Sequence, residues 1–168
     1  MKDAMYSSSV QVFLRCLNVM DAVLDKGAAF AEGKKVDMGV LLGMRLAPDM
    51  FPLLRQVQLV SDFAKGISAR LAGVENPKYD DSETTLPQLT ERLARTREFL
   101  KSLPPAQFAE AATRTIAFKA GGRDMSFDGQ TYLLHYGLPN FYFHLTTAYA
   151  ILRHAGVELG KRDFIGSV

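Results

Sequence analysis

The chain has 168 residues, 48% hydrophobic and 10% aromatic, with one cysteine and no tryptophan. That length supports a single domain, residues 1–168, with a real core and no need of a disulfide. Its 20 basic and 18 acidic residues are interspersed to a formal charge of +2, which leaves no basic stripe for nucleic acid, and no apolar run approaches the roughly 18–20 residues of a membrane span.

One cysteine and an N-terminus without a secretory leader point to the cytoplasm. Cys16 sits among apolar residues in FLRCLNVM, where a small buried hydrophobe is the expected role.

From about Tyr6 to Ala31 apolar residues recur at helical spacing, through Val10, Phe13, Leu14, Leu17, Met20, Val23 and Leu24. Ser7 to Ser9 offer N-caps and Gly33 a stop. Asp37 resembles the cap of a short helix, MGVLLGM. The prolines of RLAPDMFP predict an ordered corner, with Asp49 as N-cap and Pro52 in the first turn of a second long helix. That helix runs to about Leu71 and closes at Gly73, with Leu53, Leu54, Val57, Val60, Phe63, Ala64 and Ile67 inward. Arg55 and Asp62 read as surface charges, and a glutamine beside the apolar stripe, Gln56 or Gln58, either lies on the surface or points into a pocket.

VENPKYDDSETT is a polar loop that either covers a neighbouring surface or wanders. Thr85 caps a third helix, with Pro87 in its first turn and Leu86, Leu89, Leu93, Thr96 and Leu100 inward, ending at Pro104 and Pro105. The period then becomes alternating. Ile116 and Phe118, then Met125 and Phe127, flank Gly121 and Gly122 and predict a β-hairpin. A lone hairpin needs cover from its own helices or from a second subunit.

Asp128 caps a last helix running to about Ala155, with Pro139 at its middle, where a kink is expected. Asn140 either bonds a carbonyl freed by the proline or faces a ligand. All three histidines lie on this helix. His135 and His144 are on opposite faces, about 13 Å apart along the axis, and the i, i+4 histidine pair of a helical zinc site is missing. His154 suits the C-terminal turn. Gly156 fits the stop, and VELGKRDFIGSV follows as a tail with Phe164 and Ile165 as anchors.

With LAPDMFPLLRQVQ, GGRDMSFDGQTYLLH and LPNFYFHLTTAYAILRHAGVELGKRDFIG in view, the chain resembles a bacterial family of unknown function beside the DinB/YfiT-like helical bundles. The resemblance implies an all-α, up-down-down-up four-helix bundle with the hairpin before its last helix, usually a homodimer with a pocket between helices. Members of the wider superfamily hold a divalent ion, zinc or nickel, with one histidine on the second helix and two on the last, and some use it in thiol transfer. The corresponding positions here are Gln56, Asn140 and His144, a ligand set with one histidine. Two readings follow. One is a degenerate enzyme with a small-molecule pocket, His144 as general base or single ligand, His135 as a second polar group, and Asp49, Gln56 and Asn140 orienting the ligand. The other is a metal-free, dimeric binding or interaction module without catalytic activity.

Overall fold

The computed structural model describes residues 4–167; the first three residues of the N-terminal reading and Val168 of the tail lie outside the described residues. A first helical run begins at Ala4–Tyr6, passes through a π-helical turn at Ser7–Gln11 and continues as α1 (Val12–Lys34). The serines therefore lie inside the helix rather than capping it. Ser9 is buried and its Oγ donates back to the Met5 carbonyl at 2.5 Å, a local bond that serine makes readily within a helical turn. Nor does Gly33 end the helix. The left-handed residue is Lys35, at φ 56°, and its N–H reaches the Ala31 and Glu32 carbonyls.

Asp37 caps α2 (Met38–Gly43) by accepting from the Gly39 N–H at 2.6 Å. The following corner is ordered by Arg45, which donates to the Met50 carbonyl at 3.1 Å. Pro52, not Asp49, occupies the N-cap of α3 (Leu53–Ala72). Its fixed φ already suits the helix start, and Asp49 is left exposed. Gly73, at φ 70°, closes α3. Thr85 and Gln88 form a capping box at α4 (Leu86–Ser102), satisfying N–H groups that the helix cannot. Strands β1 (Thr115–Ala120) and β2 (Arg123–Asp128) pair antiparallel with Ala120 opposite Arg123, and Gly121 and Gly122 supply the positive φ of the turn, 55° and 76°.

Asp128 accepts from the Thr131 N–H at 2.8 Å and starts the last helical run. Gly129–Thr131 leads into a π-helical turn, Tyr132–Gly137, and then α5 (Leu138–His154). The π turn is the answer to Pro139. The Leu138 N–H reaches back five residues to the Leu133 carbonyl, and the proline falls in the first turn of a restarted α-helix, where its missing donor is tolerated. Gly156 follows at φ 103°. Short helix α6 (Lys161–Ile165) ends the described chain. Among the described residues no helix is long and apolar enough to cross a membrane.

Side-chain pairs give the directions of the four long helices. Along α3, Arg55 meets Asp81, Gln58 meets Glu83 and Asp62 meets Arg92, so the loop after α3 runs back along it and α4 climbs beside α3 in the same direction. Going the other way, Gln56 meets His144, Ile67 abuts Gly137 and Arg70 meets Tyr132, so α5 is antiparallel to α3. Phe13 packs on Phe141 and Gly27 on Leu152, which makes α1 parallel to α5. The result is up-down-down-up.

One apolar cluster fills the bundle, with Phe13, Leu17, Leu53, Ile67, Leu93, Tyr132 and Phe141 at most 1% exposed. Cys16 is buried in it, and burial pushes its thiol up from the ordinary value despite the neighbouring Arg15. The hairpin lies on its own bundle. Phe118 packs against Tyr132 and Tyr136 at 5.4 and 5.1 Å between ring centroids, and Arg70 of α3 lies over Phe118 at 4.9 Å. The tail folds back through buried Val157 and Leu159 and through Phe164 against Tyr149. Ile165 is not an anchor, because its side chain is exposed; its carbonyl accepts from Arg15 at 3.4 Å.

Candidate functional site

Of the residues singled out in the sequence, Gln56 and His144 meet. Gln56 projects inward from the first turns of α3, 1% exposed, and His144 from the middle of α5, 9% exposed. The Gln56 Oε1 lies 2.8 Å from His144 Nδ1. The Gln56 amide nitrogen donates to the Phe51 carbonyl at 3.1 Å, so the oxygen must face the imidazole as an acceptor. His144 Nδ1 therefore carries the proton, and Nε2 presents its lone pair. Among the described residues Nε2 has no hydrogen-bond partner, and it is not sealed from solvent.

The ring is held by aromatic contacts. Phe63 stacks on it at 5.4 Å and 20°, and Phe143 meets it edge-on at 5.2 Å. Burial, and then the positive charge of Arg55, lower its pKa from 6.5 to about 4. At neutral pH His144 is an uncharged acceptor.

The other candidates stand apart. The Asn140 amide donates to the Tyr136 carbonyl at 2.7 Å and so supports the backbone ahead of Pro139. His135 is exposed on the π turn, His154 is exposed on the last turn of α5, and Asp49 is exposed at the corner. Among the described residues, the main surface clefts, of about 230–520 Å³, are lined by residues other than His144, Gln56, Asn140, His135 and Asp49.

The donor set does not fit zinc or nickel. Gln56 Oε1 and His144 Nδ1 are spent on each other, and the Asn140 amide is tied to backbone. One imidazole nitrogen remains, where a zinc centre takes at least three protein ligands. Among the described residues no group of three or more His, Cys, Asp and Glu is placed to hold a metal ion.

A second polar centre was missed in the sequence. Arg92 of α4 is 1% exposed. Its guanidinium donates to Asp62 at 2.7 Å, to Glu83 at 3.0 and 3.1 Å and to the Asp80 carbonyl at 3.1 Å. Its Nε donates to Ser61 Oγ at 3.2 Å. The Thr96 hydroxyl donates to the Arg92 carbonyl, so Ser61 donates to Thr96 and each hydroxyl in the chain is used. Arg55 reaches Asp81, Gln58 reaches Glu83, and Lys65 donates to the Pro77 carbonyl at 2.5 Å. Glu83 is pushed up by burial, yet the bonds from Arg92 and Gln58 outweigh that and hold its carboxyl below the ordinary range. Arg55 and Asp62 are thus not idle surface charges. They and Arg92 pin the loop after α3 to the bundle. The signal was present in the spacing: Leu89, Arg92, Leu93, Thr96 and Leu100 form one helical stripe, with arginine at an inward position.

The fold and its helix order define a DinB-like helical bundle. The chain aligns with the crystal structure of a DinB family member protein from Shewanella denitrificans at a TM-score of 0.94 and 46% identity, over 99% of this chain and 94% of that one. It belongs to the family described as a domain of unknown function, DUF1993, whose pattern it matches over residues 5–165. No curated protein matches it.

Proposed function

We propose that the protein is a metal-free, small-molecule-binding member of the DinB-like bundles, degenerate with respect to metal-dependent thiol transfer, with its ligand received at His144. The observation that carries this reading is the Gln56–His144 pair, which leaves one neutral imidazole nitrogen as an acceptor for a ligand O–H or N–H. Phe51 and Phe143, 55% and 57% exposed, offer apolar surface next to the pair, since the Phe51 carbonyl holds Gln56 and the Phe143 ring touches His144. A base with a pKa near 4 is poorly matched to proton abstraction at neutral pH, so the role is recognition rather than catalysis. The test is a thermal-shift screen of neutral hydrogen-bond donors against the wild type and His144→Phe. Ligands that stabilise the wild type and not the variant support the reading; equal shifts in both overturn it.

A homodimer is a second reading, favoured by the same two exposed rings, which a second copy would cover. Light scattering on the wild type and on Phe143→Glu tests it. A wild-type dimer that becomes monomeric in the variant supports it, and a wild-type monomer removes it.

A further inference from the structure

A cleft of about 230 Å³ opens between α3, the hairpin and the π turn, and it contains neither member of the Gln56–His144 pair. Its polar groups are incompletely used. Arg70 lies over Phe118 and donates one long bond, 3.3 Å, to Tyr132 Oη; among the described residues it has no acidic partner. Tyr132 accepts that bond, and among the described residues its own hydroxyl hydrogen has no acceptor. Burial, outweighing Arg70, raises the phenol above its ordinary pKa, so the proton is retained at neutral pH. Asn76 Oδ1 is buried without a partner.

The space for Arg70 is made by Gly66. A β-carbon there would lie 2.9 Å from an Arg70 terminal nitrogen and 3.5 Å from the Asn76 amide nitrogen, so the missing side chain lets the guanidinium fold against the helix beside Asn76. Phe63, Phe118 and Tyr136 supply flat apolar walls. The one carboxylate lining the cleft, Asp62, is committed to Arg92 at 2.7 Å and Lys65 at 3.5 Å.

We infer that this cleft is a binding site for a small aromatic carboxylate, with the carboxylate on Arg70 and the Tyr132 hydroxyl and the ring among Phe63, Phe118 and Tyr136. A planar guanidinium with one adjacent O–H matches a planar, singly charged carboxylate. The volume is below the roughly 300 Å³ of ordinary ligand pockets and selects a compact molecule. The cleft shares the Phe63 ring with the His144 site, and the Arg70 and Tyr132 variants, which leave His144 in place, test it separately from that reading.

The test is titration of the full chain with 4-hydroxybenzoate and with its uncharged analogue 4-hydroxybenzamide, followed by calorimetry and by amide chemical shifts. The expected result is saturable binding of the acid, shifts centred on Arg70, Phe118 and Tyr136, and affinity at least about tenfold weaker for the amide and for Arg70→Gln, the loss of one charged hydrogen bond. Arg70 also braces the hairpin, so Tyr132→Phe serves as a second variant that keeps the aromatic packing, and about threefold to tenfold weakening is expected of it. Absence of saturable binding overturns the inference. So does equal affinity for acid and amide, or wild-type affinity both in Tyr132→Phe and in a folded Arg70→Gln.

Discussion

Gln56 sets the tautomer of His144. Its amide nitrogen is committed to the Phe51 carbonyl at 3.1 Å, and its oxygen meets His144 Nδ1 at 2.8 Å, so a residue 88 positions away along the chain decides which imidazole nitrogen faces outward. The expected outcome of ¹⁵N NMR at neutral pH is an uncharged His144 with the proton on Nδ1. Signals of the Nε2–H tautomer, or of the imidazolium, would contradict the hydrogen-bond assignment.

The same burial makes His144 a source of acid sensitivity. Its folded pKa of about 4 is below its ordinary value of 6.5, so the folded state resists a proton that the unfolded chain takes up. The sign follows: stability from this group is complete above pH 6.5 and is lost as pH falls from 6.5 towards 4, by about 3 kcal/mol. The measurement that isolates this group is the difference in unfolding free energy between the wild type and His144→Phe. That difference should be flat above pH 6.5 and shrink in favour of the variant below it. A pH-independent difference would show that His144 does not resist protonation.

Arg92 is expected to be the costliest polar residue to remove. Arg92→Met leaves Asp62 and Glu83 without their shared cation and Ser61 Oγ without its donor. Breaking one side of a buried ion pair costs about 3 kcal/mol, equivalent to a fall in Tm of roughly 6–12 °C for a chain of this size. The loop after α3 should also come loose. Limited trypsin digestion should cut at Lys78, which is exposed, far faster in the variant. Unchanged Tm and digestion would mean that the loop is held by other contacts.

Two glycines should respond oppositely to alanine. At Gly129 a β-carbon would lie 1.8 Å from the Ala111 carbonyl oxygen, which is backbone and cannot swing away. Gly129→Ala is expected to cost about 3 kcal/mol through forced displacement of the last helical run. Gly33 lies within α1 with nothing within 4 Å of the added carbon, and Gly33→Ala should stabilise by about 0.5–1 kcal/mol. Thermal melts of the two variants check both signs.

Much of the fold was legible because it rests on local chemistry. The caps Asp37, Thr85 and Asp128, the Gly121–Gly122 turn and the apolar stripes of the long helices each act over a few residues and read directly from spacing. The errors share a different origin. Ser7 to Ser9 look like caps only if a helix starts there, and an earlier start absorbs them. Asp49 lost the N-cap to Pro52, whose ring fixes the backbone without a side-chain bond. The π turn before Pro139 inserts one extra residue into the turn, with the Leu138 N–H on the Leu133 carbonyl, and a pattern sought at the α-helical period does not encode it. Within the site, Gln56 and His144 were identifiable, yet their hydrogen bond, and the Phe51 carbonyl that orients it, exist only once α3 and α5 are antiparallel. Arg92 falls within the inward stripe of α4, and the carboxylates that make its burial possible come from α3 and the loop after it, which the spacing along α4 does not encode.

The central claim is that the Gln56–His144 pair is a metal-free anchor, and elemental analysis of the purified chain after dialysis against zinc and nickel tests it most directly. The expected result is no stoichiometric retention of either ion, in the wild type as in His144→Phe. Retention near one ion per chain in the wild type, abolished in His144→Phe, would contradict the account and place a metal on His144.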